Sequence, residues 1–227
     1  MSMVTGTQGK GTASGSRSHP SRSGRWQIQR GGIELLLGIV ALMWAVEIIN
    51  WIDGYGLDND GIYSRSFSHL WGIFTAPFIH ANFAPHLIDN TIPFVFMGII
   101  IALRGARQVA IVTAIVIVLG GLGTWLIGPA NVPTIGASGV VFGYATYLLT
   151  RGLFNRSLLE LLTGGVVGVI WGGALLSSLV PHTGVSWQGH LCGGLAGVVA
   201  AYVLARQDPR RARRSVGTAR PASSLAK

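Results

Sequence analysis

Six long apolar segments dominate this chain and limit what it can fold into. Most of them approach the roughly 20 residues that an α-helix needs to cross a bilayer core of about 30 Å. Because every backbone polar group in lipid must be satisfied internally, such segments cross a membrane as helices. The sequence therefore predicts an all-α, polytopic membrane protein with six transmembrane helices. The segments are Gly32–Asn50, His86–Leu103, Gln108–Ile127, Gly136–Thr150, Ser157–Val180 and a sixth that begins near Gln188 and ends at Ala205.

The composition supports a membrane protein and argues against a nucleic-acid-binding domain. Only 11% of the residues are charged, whereas a soluble domain usually carries about 25%. The 33 glycines suit helices that pack closely through small residues. The net charge of +9 comes from basic residues at the ends of apolar segments, without interleaved aromatic residues, so no nucleic-acid partner is expected. A single cysteine, Cys192, excludes an intramolecular disulfide and a cysteine-based metal site.

Basic residues are concentrated in two terminal tails and in two turns. We interpret residues 1–30 as a disordered basic tail without a cleavable signal peptide, residues 31–206 as the membrane domain and residues 207–227 as a second basic tail. The positive-inside rule predicts that both tails and these turns face the cytoplasm, in what we interpret as a bacterial plasma membrane. The turns carry Arg104, Arg107, Arg151 and Arg156.

The fourth apolar segment, Gly136–Thr150, is shorter than the others. Its fifteen residues make about 22 Å of helix, less than the hydrocarbon thickness, and Arg151 marks its cytoplasmic end. The helix must then begin below the outer surface, after the irregular run 128–134. Non-helical backbone at that depth is tolerated only where it is buried in protein or lines a water-filled cavity. The sequence therefore predicts a water-accessible pocket. The first external loop, Trp51–Ile79, is expected to form short amphipathic helices at the membrane interface, or to pack on neighbouring helices.

A serine and a histidine fall at matching depths in two helices that run in the same direction. Ser138 lies about 20 Å above Arg151, and His190 lies about 24 Å above Arg206. Polar side chains at such depth are costly unless they face each other or a cavity, and serine with histidine can perform nucleophilic acyl transfer. Glycines spaced by four, which are also ordinary packing motifs, would let the helices approach. They are Gly139 and Gly143 on one helix, and Gly189, Gly193 and Gly197 on the other.

A second polar cluster lies at the start of the second segment. His86 and Asn90 are four residues apart and share one face of a helix. Their side chains, together with the backbone N–H of Ser138, could donate to the oxyanion of a tetrahedral intermediate. His80 and His86 could instead be metal ligands or interfacial caps, but a His-Glu-x-x-His motif is absent. We expect neither a metal nor a cofactor.

In this combination the motifs resemble the rhomboid intramembrane serine proteases. The resemblance rests on Gly136-Ala137-Ser138-Gly139, on Gly189-His190 with its following glycines, and on His86-x-x-x-Asn90, and it extends from about Gly31 to Ala205. It implies that Ser138 is the nucleophile and His190 the general base and acid, in a dyad without a carboxylate. It also implies that His86 and Asn90 stabilise the oxyanion. Transmembrane proteins would be the substrates, and membrane lipids would surround the enzyme.

Three features depart from the family pattern. Five residues separate His80 from His86, where rhomboids commonly have four, and this leaves the role of His80 open. Gly72 follows Trp71 where the family often has arginine, and Phe142 stands where a tyrosine often stacks on the histidine. Phe142 can keep the stacking without the hydroxyl. Two rival hypotheses remain: a catalytically impaired rhomboid-like protein that binds membrane clients, and a small membrane transporter.

Overall fold

The structure is a computed structural model that describes residues 22–181 and 183–206. Six long helices account for most of these residues. They are α1 (Arg22–Ile52), α2 (Phe83–Ala102), α3 (Ala106–Ile127), α4 (Ser138–Asn155), α5 (Leu158–Ser177) and α6 (Trp187–Arg206). By length and composition, five of them could cross a membrane: α2, α3, α5, α6 and the Arg30–Ile52 part of α1. The all-α, polytopic membrane fold predicted from the sequence is therefore confirmed.

The remaining helix, α4, forms the centre of the bundle. It packs against α2, α5, α6 and the middle of α3, and its buried residues include Tyr144 and Tyr147. The hydroxyl oxygen of Tyr144 lies 2.5 Å from that of Thr113 on α3. Because α4 packs against other helices rather than against lipid, it can bury tyrosine hydroxyl groups inside the bundle. Its sequence is for this reason less apolar than that of a lipid-facing helix.

Two helix boundaries differ from the prediction. The first helix begins at Arg22, inside the segment interpreted as a disordered tail, because no proline interrupts the run from Arg22 to Ile52. Residues 1–21 and 207–227 lie outside the described residues. The fourth helix continues to Asn155, so Arg151 lies within it rather than at its end. Arg151 is only 4% exposed, because its guanidinium donates two hydrogen bonds to the carboxylate of Glu160.

The first loop folds into four short helices, as the sequence predicted. They are Gly56–Asp60, Phe67–His69, Gly72–Thr75 and Ala76–Phe78. Phe67, Trp71 and Phe74 are exposed, whereas Ile73 and Ala76 are buried against the bundle. The loop thus packs on its neighbours through one side and presents aromatic side chains on the other, where a membrane interface remains the predicted environment.

Candidate active site

Ser138 and His190 meet at the same end of the bundle, as the depth argument predicted. Ser138 is the first residue of α4, and His190 lies in the first turn of α6. The Nε2 atom of His190 lies 2.8 Å from Oγ of Ser138, within hydrogen-bond distance. His190 is buried and Ser138 is half-buried, so one side of the pair stays accessible.

The backbone carbonyl of Ser178 fixes the tautomer of His190. Nδ1 of His190 lies 2.9 Å from this oxygen, and because a carbonyl only accepts, Nδ1 carries the proton. Nε2 is then free to accept a hydrogen bond from the Ser138 hydroxyl. Ser178 caps the C-terminus of α5, where the helix dipole favours positive charge on the imidazole. Phe142 stacks on the ring, with centroids 4.3 Å apart and planes at 5°, as expected from the sequence.

Glycines on α4 and α6 allow the close approach on which this distance depends. A Cβ atom on Gly193 would overlap the carbonyl oxygen of Gly139, and one on Gly197 would overlap that of Gly143. The two helices therefore touch backbone to backbone along the face that begins at Ser138 and His190. This confirms the packing role predicted for the glycines at intervals of four.

The turn before Ser138 requires glycine at position 136. Gly136 has a φ of +110°, a conformation that side-chain-bearing residues rarely adopt. Its N–H donates to the carbonyl oxygen of Ala76 in the first loop at 2.8 Å. The first loop is thus tied directly to the residues that lead into the serine.

His80 makes a second tie between the first loop and this turn. Its ring Nε2 accepts a hydrogen bond from the backbone N–H of Ala137 at 3.2 Å. The backbone N–H of His80 donates to the carboxylate of Glu47 at 3.2 Å. Burial lowers the pKa of the His80 imidazole from 6.5 to about 4, so the ring is neutral at physiological pH. The altered spacing of His80 and His86 thus leaves His80 in contact with the residue next to Ser138.

Glu47 is an acidic side chain on α1 that does not reach water. It is fully buried, and it bonds the His80 backbone from its position on α1. Asn50, one turn further along α1, donates to the carbonyl oxygen of His80 at 3.3 Å. The last turn of α1 therefore holds His80 by its backbone, which the sequence did not reveal.

Of the two predicted oxyanion residues, Asn90 borders the turn that leads into the serine. A Cβ placed on Gly136 would lie 3.9 Å from Nδ2 of Asn90 and 4.0 Å from Oγ of Ser138, so both atoms lie within about 4 Å of one point beside that turn. His86 is exposed, and its Nδ1 lies 2.9 Å from Oδ1 of Asn82. Because Oδ1 of Asn82 is an acceptor, Nδ1 of His86 carries the proton in this contact, and Nε2 of the neutral ring is unprotonated. To donate to an oxyanion through Nε2, His86 would have to change tautomer or gain a proton.

A cavity opens beside Ser138, where the sequence predicted a pocket. Its lining is small and mainly apolar, and the side chains that narrow it include Ile73, Val116 and Val140. Ser186 adds a hydroxyl group, and its Oγ accepts a hydrogen bond from the N–H of Gly189 at 3.2 Å. The cavity can hold a small uncharged side chain next to the serine hydroxyl.

Cys192 and His69 are two further side chains of chemical interest, and they do not line this cavity. Cys192 is buried and packs against Gly123 on α3, in agreement with a packing role. His69 lies between the rings of Tyr63 and Trp71, with centroids 4.9 Å from each. His182 falls outside the described residues.

The fold and the site define this protein as a polytopic membrane protein of six long helices, in which a serine and a histidine lie within hydrogen-bond distance at one end of the bundle. A model of the rhomboid domain matches residues 68–207, and the chain belongs to the rhomboid family. Similar proteins include one from Mycobacterium tuberculosis, 45% identical over 83% of this chain and 80% of the relative, and one from Mycobacterium leprae, 43% identical over 87% and 80%. Both are described as uncharacterized. A Bacillus subtilis protein whose name marks it as a candidate rhomboid protease is 23% identical over 79% of this chain and 91% of its own length.

Proposed function

We propose that this protein is an intramembrane serine endopeptidase that cleaves transmembrane protein substrates with a Ser138–His190 dyad. The observation that carries the proposal is the 2.8 Å contact between Oγ of Ser138 and Nε2 of His190, with Nδ1 held by the Ser178 carbonyl. A nucleophile bonded to a base that a third group orients is the general arrangement for nucleophilic catalysis. Membership of the rhomboid family supports the same reaction.

Acylation begins when the substrate carbonyl carbon approaches Ser138. His190 takes the hydroxyl proton on Nε2 as Oγ forms its bond to carbon, and the carbonyl oxygen becomes an oxyanion. His190 then gives this proton to the departing nitrogen as the C–N bond breaks, which leaves an ester on Ser138. The negative end of the α5 dipole at Ser178 favours the transient imidazolium.

The oxyanion would face Asn90 and the start of α4. Asn90 Nδ2 is a donor, and the backbone N–H of Ser138 belongs to the first turn of a helix, which lacks intrahelical partners. The positive end of the α4 dipole adds to this stabilisation. His86 is the second predicted donor, and it can contribute when its Nε2 is protonated.

Deacylation requires water, and the cavity beside Ser138 can supply it. His190 takes a proton from a water molecule as the oxygen attacks the ester carbon, and it returns that proton to Oγ as Ser138 is released. Suitable substrates are transmembrane segments that unwind readily near the outer face, because a stable helix hides its backbone from any nucleophile.

Labelling with a serine-reactive fluorophosphonate tests the nucleophile. The purified, detergent-extracted protein should carry the label on Ser138, mapped by peptide mass spectrometry, and should cleave a model transmembrane substrate. Ser138→Ala should abolish both, and His190→Ala should abolish both because Ser138 is no longer activated. The matched control is Ser186→Ala, which removes a hydroxyl from the same cavity and should retain labelling. Cleavage above trace level by folded Ser138→Ala would refute the serine mechanism.

The proposed orientation has both termini in the cytoplasm of a bacterial cell. It is supported by the positive charge of the tails and of the turn that carries Arg104 and Arg107. Reporter domains fused after Arg104 and Arg156 should be cytoplasmic, and one fused near Asp58 should be external. A cytoplasmic Asp58 would contradict the orientation and place the cavity on the wrong side.

A further inference from the structure

A second cavity lies at the end of the bundle opposite Ser138. It lies between the C-terminal end of α2, the later turns of α4 and the first turns of α5. Arg151, which lines it, is thirteen residues after Ser138, about 20 Å further along α4. The cavity therefore opens near the other membrane interface, which is cytoplasmic in the orientation proposed above.

Two arginines and one carboxylate meet on the wall of this cavity. Glu160, in the first turn of α5, accepts hydrogen bonds from Arg151 Nη2 at 3.1 Å and Nε at 3.2 Å, and Arg104 Nη2 contacts the same carboxylate. Asn155 donates to its second oxygen at 2.7 Å. Among the residues that line the cavity, Arg151 is paired with Glu160 and its side chain is 5% exposed, whereas the Arg104 side chain, which contacts the same carboxylate, is 35% exposed. The positive charge of Arg104 therefore stands near the open side of the cavity, where it can attract an anion.

The remaining wall is aliphatic and faces the surroundings of the bundle. Ile100, Leu103, Leu148 and Leu159 line the cavity beside the arginines. Leu103 and Leu159 are 59% and 75% exposed. Aliphatic side chains that remain open at the end of a transmembrane bundle suit acyl chains, whereas guanidinium groups suit phosphate. A free inorganic anion would make no use of the aliphatic wall.

We propose that this cavity binds the phosphodiester headgroup of an anionic phospholipid. The phosphate lies against Arg104, and an acyl chain lies along Leu103 and Leu159. Basic pockets between transmembrane helices at the cytoplasmic side have the chemistry that recognises such lipids. The bound lipid would link the turn after α2 to the first turn of α5, the helix whose other end orients His190 through Ser178.

The test measures lipid binding to the full-length protein and does not depend on protease activity. Purified protein in detergent is titrated with phosphatidylglycerol, with phosphatidylcholine of the same acyl chains, or with inorganic phosphate. Thermal stabilisation and native mass spectrometry report binding. Phosphatidylglycerol should stabilise the protein in a saturable manner, and the other two should not. Equal stabilisation by phosphatidylcholine, or equal stabilisation by inorganic phosphate, would overturn the lipid assignment.

A pair of variants locates the site. Arg104→Gln should weaken phosphatidylglycerol binding about fivefold, the effect expected for one arginine near an anionic lipid, whereas Arg104→Lys should retain most of it. The matched control is Arg107→Gln, because Arg107 is an exposed arginine in the same turn that does not line the cavity. Equal losses in Arg104→Gln and Arg107→Gln would mean general surface attraction and would overturn the proposal. Because Arg104 is itself exposed, these variants should fold.

Discussion

Replacing Gly193 with alanine should separate the two helices that carry the proposed dyad. A Cβ at this position would overlap the carbonyl oxygen of Gly139, and it would meet the backbone of α4 rather than the movable end of a side chain. Since real Cβ atoms essentially never come within 3.0 Å of such a neighbour, we expect α6 to shift from α4 by about 1 Å.

The shift should reach Ser138 and His190, the proposed catalytic pair, at nearly its full size. His190 lies one turn before Gly193 on the same face of α6, and Ser138 directly precedes Gly139. A displacement of about 1 Å would stretch the 2.8 Å contact between Nε2 and Oγ beyond hydrogen-bond distance. Because misplacement by 1 Å can cost about 10²-fold in rate, kcat/KM for a transmembrane substrate should fall about 100-fold. Overpacking should also lower the free energy of unfolding by about 1–3 kcal/mol.

Gly194 provides a matched control on the next residue. A Cβ there would lie 3.4 Å from the methyl group of Thr146, an ordinary contact, so Gly194→Ala should keep kcat/KM within about threefold of wild type. Both variants should be assayed in detergent with the same substrate, and thermal unfolding should confirm that each is folded. Wild-type activity in a folded Gly193→Ala protein, or an equal loss in Gly194→Ala, would refute the argument that backbone contact sets the Ser138–His190 distance.

Two further predictions concern the surroundings of the serine. Asn90→Ala should slow turnover by up to about 10²–10³-fold while Ser138 still reacts with a fluorophosphonate, and a wild-type rate would exclude Asn90 as an oxyanion donor. The lowered pKa of His80 means that the unfolded chain binds a proton at this residue near pH 6.5 and the folded protein only near pH 4. The contribution of neutral His80 to the free energy of unfolding is therefore fully present above about pH 6.5. It decreases as the pH falls toward 4, with a loss of about 2 kcal/mol at pH 5. His80→Asn should reduce this pH dependence of thermal unfolding, and an unchanged dependence would assign it to other groups.

The meeting of Ser138 and His190 could be predicted because it depends on helix geometry. A fixed rise per residue places both side chains at one depth, and the cost of a polar group in lipid turns them toward each other or a cavity. The glycines supplied the close approach, and the irregular run 128–134 before the fourth helix indicated the cavity. These inferences use only distances along single helices, which a sequence determines well.

Contacts between side chains on different elements could not be predicted in the same way. The sequence names no partner for Glu47, yet the first loop folds over it and its carboxylate accepts a hydrogen bond from the His80 backbone. Arg151 looked like a marker of the membrane interface, yet Glu160 draws its side chain into the bundle. In both cases the partner of the charged residue lies on another helix or in a loop, so spacing along one helix could not identify it.

The carbonyl oxygen of Ser178 takes the position beside His190 that a carboxylate takes in a Ser-His-Asp triad. A carboxylate at this depth would bring a full charge into the bilayer, whereas the end of α5 offers a fixed acceptor and about half a negative charge. If the carbonyl rather than the side chain orients His190, Ser178→Ala should keep kcat/KM within about twofold, since it removes only the hydroxyl that donates to Ala174.

Ser178→Pro supplies the contrast, because it disturbs the backbone itself. Proline removes the N–H that donates to the Ala174 carbonyl at 3.1 Å, and it disfavours the helical conformation of Ser177. The Ser178 carbonyl should then move away from Nδ1 of His190, so kcat/KM should fall by about tenfold or more and its pH profile should shift. Substrate cleavage measured from pH 5 to 9 in folded protein distinguishes the two variants. Equal damage by Ser178→Ala and Ser178→Pro would assign the effect to the hydroxyl group, and the carbonyl would lose its place in the mechanism.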